Sequence, residues 1–285
     1  MGIPIPEGPE LRHSRDVLRN IVVDKFMTRL LTTTSGRYST KQPEGMTEIV
    51  KDLPLRIESV DVKGKFMWLT LKGQDKTWYV WCTYGMSGQW SRTADKHAAF
   101  IFEYNDSGGL ITRDQQKLFF NDQRRFGTIK FVSGVETHKK KLASLGPDIL
   151  EDPPLAPELF AERILKKPTR TISEALMDQS CVAGVGNYLR SEILYDCKVD
   201  PWRCVTDITS EEFVKLCEAT IRIAKKSYKS QGATIKTYRN IDRSEGTTQF
   251  NFKAYGQKHC PSGHAITREE TRDGRTSWWC SICQK

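Results

Sequence analysis

No apolar run in these 285 residues approaches the length that crosses a bilayer, and the start of the chain lacks the basic-then-apolar layout of a secretory signal. A soluble, intracellular protein is expected. Internal repeats and low-complexity tracts are missing too, so the chain reads as ordinary globular domains. Acidic residues are in deficit: 35 Asp and Glu face 44 Lys and Arg, a formal charge of +9. The basic residues are interleaved with seven Trp, nine Tyr and twelve Phe. That mixture points to an anionic partner, nucleic acid first, with a merely solvated basic face as the alternative. Cysteine is thin along most of the chain. Cys82, Cys181, Cys197, Cys204 and Cys217 lie scattered among apolar neighbours, as reduced core residues do, whereas Cys260, Cys280 and Cys283 crowd the C-terminus.

What is present divides the chain. A helix is predicted to start at Pro9, a position that tolerates the missing N–H, and to run to about Ile21 with Leu11, Leu18 and Ile21 on one face. From Ile57 to Val132 short apolar runs such as Lys65–Leu71 and Thr77–Tyr84 are broken by glycines, the pattern of a β-sandwich or barrel. After Gly146-Pro147 the period becomes helical, at Ile172, Ala175 and Leu176 and again at Val214, Cys217, Ile221 and Ala224. The expected organisation is α+β: a sandwich with a leading helix over 1–140, a linker over 141–154, a helical domain over 155–250 and a small terminal ribbon over 251–285.

The terminal ribbon carries the most specific chemistry. Cys260 and His264 are followed, after fifteen residues, by Cys280 and Cys283. Two thiolate-bearing pairs, one completed by an imidazole, supply four ligands for a tetrahedral zinc ion. His259 also adjoins Cys260, but adjacent residues do not easily ligate together, so His264 is the expected ligand. Asp273-Gly274 between the pairs signals a hairpin turn that brings them together. In the helical domain, Gly184 and Gly186 precede Asn187 and an apolar helix containing Glu192. Such a turn can present backbone N–H groups and a helix dipole to a phosphate, with Asn187 as a further donor; a simple packing turn is the alternative.

These residues together resemble the formamidopyrimidine-DNA glycosylase and endonuclease VIII (Fpg/Nei) family. The motifs run in order along nearly the whole chain: PEGPE from Pro6, GKFMWL around Lys65, YGMSG around Met86, DQRRFG around Arg124, LGPD at Leu145, DQSCVAGVGNYLRSEIL from Asp178, and the terminal CQK. The Cys-His-Cys-Cys set departs from the four-cysteine finger of bacterial members and looks more like one branch of animal Nei-like enzymes. The resemblance implies a catalytic sandwich, a helix-two-turn-helix domain and a zinc finger with one structural ion. It also implies base-excision repair: a glycosylase that removes an oxidised base and an AP lyase that cuts the strand by β,δ-elimination.

In the family an N-terminal proline amine attacks the sugar, and Pro6 matches it. Glu7 then matches the general acid, Lys65 serves base expulsion or elimination, and Arg275 assists the second elimination. Met86, Arg124 and Phe126 match the side chains that fill the gap left by a flipped nucleotide, and His97 and Asn187 complete the expected DNA contacts. The implied partners are double-stranded DNA with oxidised or abasic sites and, as a second form, single-stranded DNA, bound by a monomer. Pro6 is internal in this sequence, and an amide nitrogen cannot form a Schiff base. Three outcomes are open: the five preceding residues are absent from the active protein, Gly2 supplies the amine, or the chain binds damaged DNA without cutting it. A zinc-dependent transcription or structural DNA-binding protein is a further class, but it needs a base-reading helix. The helix after Asn187 has few polar side chains for that.

Overall fold

The computed structural model describes residues 6–34, 36–110, 113–230, 250–272 and 274–285. Gly2, Asp273 and residues 232–249 of the segment read as the family's loop near the flipped base lie outside the described residues. The chain divides into two compact units, one of 1–10, 144–236 and 246–285, the other of 11–143 and 237–245. Helix α1 (Gly8–Val22) begins in the first unit and continues in the second. None of the helices among the described residues is long and apolar enough to cross a membrane.

The second unit holds β1 (Phe26–Thr32), a short α2 (Met46–Ile49), β2 (Leu55–Lys63), β3 (Phe66–Lys72), β4 (Thr77–Thr83), β5 (Gly88–Ser91), β6 (Ala98–Asn105), β7 (Gln116–Asp122), β8 (Thr128–Ser133) and α3 (Val135–Ala143). The strands form an antiparallel sheet in the order β5-β7-β6-β1-β2-β3-β4-β8. The sheet folds over on itself. Phe100 of β6 and Phe131 of the edge strand β8 are far apart in strand order, yet their rings lie 5.9 Å apart, so the two ends of the sheet make the facing layers of a sandwich. Alternation supplies the inner surface: Met67, Leu69 and Leu71 of β3 and Trp78, Val80 and Cys82 of β4 all point into the core, where Leu11, Leu18 and Ile21 of α1 join them.

The outer face of β3 and β4 is aromatic and is covered by α3. His138 stacks on Tyr79 at 4.0 Å, meets Trp68 edge-on at 5.0 Å and accepts a 3.0 Å hydrogen bond from Trp81 Nε1 at its Nδ1. Burial lowers the His138 pKa, and the nearby Asp61 only partly opposes it. The folded unit therefore prefers the neutral ring. Its contribution to stability is full above the unfolded pKa of about 6.5 and is lost as pH falls through the lower folded value. The melting temperature is expected to drop between about pH 7 and 5, and less steeply in His138→Gln; equal slopes would remove His138 from this role.

The first unit contains α4 (Pro157–Leu165), α5 (Ile172–Met177), α6 (Asn187–Cys197), α7 (Ser210–Lys229) and the ribbon β9 (Thr267–Glu270) and β10 (Thr276–Trp279). Capping boxes start α5 at Thr171-Glu174 and α7 at Thr209-Glu212. α6 is buried from Tyr188 to Tyr195. A helix so enclosed must satisfy its polar residues internally, and the Glu192 carboxylate does so by accepting N–H groups from Lys253, Ala254 and Tyr255 at 2.8–2.9 Å. Burial raises its pKa, and those three donors limit the rise. This carboxylate moors the segment that leads into the ribbon.

Candidate active site and metal centre

The PEGPE stretch is seated on the turn that starts α6. Gly8 N–H donates to Gly184 O at 2.9 Å, and a Cβ on Gly8 would stand 3.0 Å from Gly184 Cα, so the two backbones touch because neither residue has a side chain. The approach delivers the Glu7 carboxylate, 1% exposed, to the helix N-terminus. Its Oε2 accepts from Gly186 N at 2.8 Å and Leu189 N at 3.2 Å, and its Oε1 from Tyr188 N at 2.8 Å. The anion-binding end of α6 thus holds the protein's own carboxylate, where the glycine turn had suggested a phosphate. Asn187 turns instead to the ribbon, donating from Nδ2 to Thr276 O at 3.0 Å, and Arg190 reaches both Asn187 Oδ1 and that same carbonyl.

Glu10 is fully buried beside it. It accepts from Glu7 N–H at 2.9 Å, the reach-back of a capping box, and from Tyr188 Oη at 2.9 Å, which also pairs with Ser227 Oγ at 3.0 Å. Burial, with Glu10 and Glu7 nearby, raises the Tyr188 pKa well above 10, so the hydroxyl keeps its proton to donate. Glu10 and Tyr188 escaped the sequence reading. The Glu-Gly-Pro-Glu spacing was a signal for the first, but nothing local announced the second. Gln179 braces the turn from within, accepting from Gly184 N at 2.9 Å and donating to Met177 O and Val185 O. Asp178 at its start is held well below the usual carboxylate range: burial alone would raise it, but hydrogen bonds from Lys167, Ser180 and Arg170 prevail.

Gly186 is the tightest position. A Cβ there would lie 2.2 Å from Glu7 Cδ, although its φ of −127° suits any residue. Gly186→Ala is therefore expected to fold while expelling the Glu7 carboxylate from its cradle. Any reaction that depends on the seated Glu7 carboxylate should fall by roughly a hundredfold, the order that a misplaced group costs. Unchanged rates in Gly186→Ala would show that the seat does not matter.

At the ribbon, Cys260, His264, Cys280 and Cys283 bring one ligand atom each to within 4.8 Å of one another. The separations are 3.7 Å from Cys260 Sγ to His264 Nδ1, 3.2 Å from His264 Nδ1 to Cys283 Sγ and 4.0 Å between the Cys260 and Cys283 sulfurs. Tetrahedral zinc with bonds of about 2.3 Å to sulfur spaces its ligands by roughly 3.8 Å, so the donor set fits such an ion. His259 instead bridges to Ala265 through its backbone. In the ribbon Thr271 N donates to Arg275 O at 2.8 Å, and Gly274 takes the left-handed conformation at φ 73°. Arg275 follows, exposed, and lines an open cleft of about 430 Å³ with Lys167, Arg170, Glu174, Met177 and Asp178.

The second unit carries the remaining candidates. Lys65 sits half-buried in the two-residue turn between β2 and β3, where Gly64 has φ 57°. Met86 is half-buried on the loop between β4 and β5. Arg124 and Phe126 stand exposed on the loop between β7 and β8, the guanidinium 5.8 Å from the Phe126 ring, and His97 precedes β6.

Comparison with known proteins agrees along the length of the chain. The model described as formamidopyrimidine-DNA glycosylase N-terminal domain matches residues 5–129, and that described as formamidopyrimidine-DNA glycosylase H2TH domain matches residues 145–239. Proteins named formamidopyrimidine-DNA glycosylase from Bacillus cereus and Bacillus anthracis are each 31% identical over 98% of this chain and 99% of their own length. Among solved structures, the MutM (Fpg) protein of Thermus thermophilus matches with a TM-score of 0.80 at 27% identity, covering 98% of both chains. The Lactococcus lactis Fpg in complex with abasic-site DNA matches with a TM-score of 0.81, over 98% of this chain and 99% of that one; at 23% identity it speaks for the fold alone.

Proposed function

Because the chain belongs to the formamidopyrimidine-DNA glycosylase family of base-excision repair enzymes, we propose that it excises oxidised bases from DNA and then cleaves the strand as an AP lyase. The observation that carries this reading is the seat of Glu7: a buried carboxyl, fixed through both oxygens, next to Pro6. Once Pro6 is N-terminal, its secondary amine attacks C1′ of the damaged nucleoside. An α-amino group with a pKa of about 7.7–8.0 is partly unprotonated at neutral pH, as a nucleophile must be. The glycosidic bond breaks and the amine's proton leaves with the base; Glu7, in its protonated form, gives a proton to the sugar ring oxygen, so the C1′–O4′ bond opens and the sugar is held as a Schiff base. Lys65 assists base departure or elimination. Successive β and δ eliminations then release the two phosphates.

DNA is the proposed partner, bound as a duplex with an oxidised or abasic site. Met86, Arg124 and Phe126 occupy the gap left by the flipped nucleotide, while His97 contacts the strand; Asn187 stays tied to the ribbon through Thr276 O. Zinc is the proposed occupant of the Cys260, His264, Cys280 and Cys283 cluster, where it ties the ribbon's two ends together. Arg275, exposed on that ribbon, carries a planar fork of the shape that bridges phosphates. Arg275→Lys should keep zinc and fold while lowering damaged-duplex affinity and the δ product more than nonspecific affinity; wild-type product ratios would remove Arg275 from this role.

The reading is tested by reducing the complex with abasic DNA using borohydride and locating the adduct by mass spectrometry. The expected adduct lies on Pro6, after loss of residues 1–5. An adduct on Gly2 moves the nucleophile, and intact binding without any adduct makes the chain a non-catalytic binder of damaged DNA.

A further inference from the structure

The loops that carry Met86 and the Arg124–Phe126 pair are separated by more than thirty residues, yet one buried side chain joins them. Asp122, 2% exposed at the end of β7, accepts from Ser87 Oγ at 2.6 Å with Oδ1 and from Gly127 N at 2.7 Å with Oδ2. Ser87 Oγ in turn accepts from Arg124 N at 2.8 Å. The Asp122 backbone N–H donates to His97 O at 3.0 Å, so the segment carrying His97 is tied to the same residue. Between the loops there is no slack: at Gly85, with φ 56°, a Cβ would stand 2.6 Å from Phe126 C and 2.8 Å from Gly127 N.

We propose that Asp122 and Ser87 are positioning residues that lock these two loops into one rigid wedge for entering a damaged duplex. The physical need is specific. Phe126 is 54% exposed, so packing does not hold its ring, and a side chain that must part stacked bases is only as stiff as the backbone beneath it. Separate loops would each lose conformational freedom at the moment of insertion. A shared carboxylate, satisfied at both oxygens, imposes that order in advance and makes insertion of Met86, Arg124 and Phe126 a concerted event. The inference rests on the proposed entry of those three side chains into DNA. Asp122 touches neither substrate nor reacting atoms; it acts through the loops.

The test compares single-turnover base excision from a damaged duplex with cleavage of an abasic single strand, which has no stack to part, using the full-length protein with its metal. In Ser87→Ala and Asp122→Asn the ratio of duplex to single-strand activity should fall roughly ten- to hundredfold, and Ser87→Thr, which restores the hydroxyl, should recover it. A 2-aminopurine placed opposite the lesion should lose its unstacking signal in step. Equal losses on both substrates, or none, overturn the proposal. Should Asp122→Asn fail to fold, Ser87→Ala decides alone. Phe126→Ala runs in parallel: if it too leaves the ratio unchanged, the wedge reading itself falls; if it lowers the ratio while Ser87→Ala does not, only the positioning role is lost.

Discussion

Glu7→Gln is expected to lower base excision by roughly 10²–10⁴-fold, the contribution typical of a general acid, while strand cleavage at a ready-made abasic site partly survives. The substitution acts twice. It removes the ionisable proton, and it disturbs the seat, because both Glu7 oxygens accept backbone N–H groups, Oε1 from Tyr188 and Oε2 from Gly186 and Leu189. An amide has only one oxygen, so its NH₂ must face at least one of those donors. The lyase step on an abasic site needs no departing base, which is why it is spared in part. Paired rate measurements on damaged-base and abasic duplexes check this. Small and equal losses in the two steps would take the general-acid role away from Glu7.

Disrupting the Cys260, His264, Cys280 and Cys283 cluster, the proposed zinc site, should abolish activity on both substrates. Among the described residues the ribbon has little core of its own: Cys260 and Cys280, two of the four candidate ligands, pack with Tyr195, Ala254 and the partly buried Ile266 and Cys283. In such a module metal binding and folding are one event. Burial would raise the Cys260 thiol, but the Tyr195 hydroxyl and the backbone N–H groups of His264 and Ser262 hold it down to about 6, favouring the thiolate that a metal requires. Cys280→Ser, or a strong chelator, is expected to release one equivalent of zinc, expose Trp278 and Trp279 to solvent, and leave neither excision nor lyase activity. The disorder should spread, because Gln284 accepts from Cys280 N and donates to Val199 O, and Lys285 pairs with Lys198 and Asp200 beyond α6. Zinc content, tryptophan fluorescence and activity should fall together. Full activity without bound metal would refute the structural role.

Much of this molecule is legible in its sequence, and the legible parts share a cause. The helix from the PEGPE stretch, the alternating strands from Ile57 and the Cys-His and Cys-Cys pairs at the ribbon are all written in spacings of a few residues. Local backbone geometry converts such spacings directly into shape. The ribbon shows where that stops: Asp273-Gly274 signals a turn in the sequence, but only the folded ribbon pairs Thr271 N with Arg275 O. The glycine turn before Asn187 likewise announced an anion site without naming its occupant. Glu7 fills it from 179 residues away.

That distance is the dividing line. Which carboxylate meets which N–H group depends on the path of the whole chain, and no short window of sequence encodes it. Glu7 on α6, Glu10 under Tyr188, Glu192 mooring residues 253–255 and Asp122 joining two loops were all visible as acidic residues, and any of them could have been a solvated charge. The sequence by itself determined the first helix, the strand-rich and helix-rich regions, the four candidate metal ligands and the family. The tertiary structure decided which charges were buried. A buried carboxylate must be met by donors wherever the fold can supply them, and that requirement, satisfied at long range, turned ordinary glutamates and an aspartate into the fixed points of the two units.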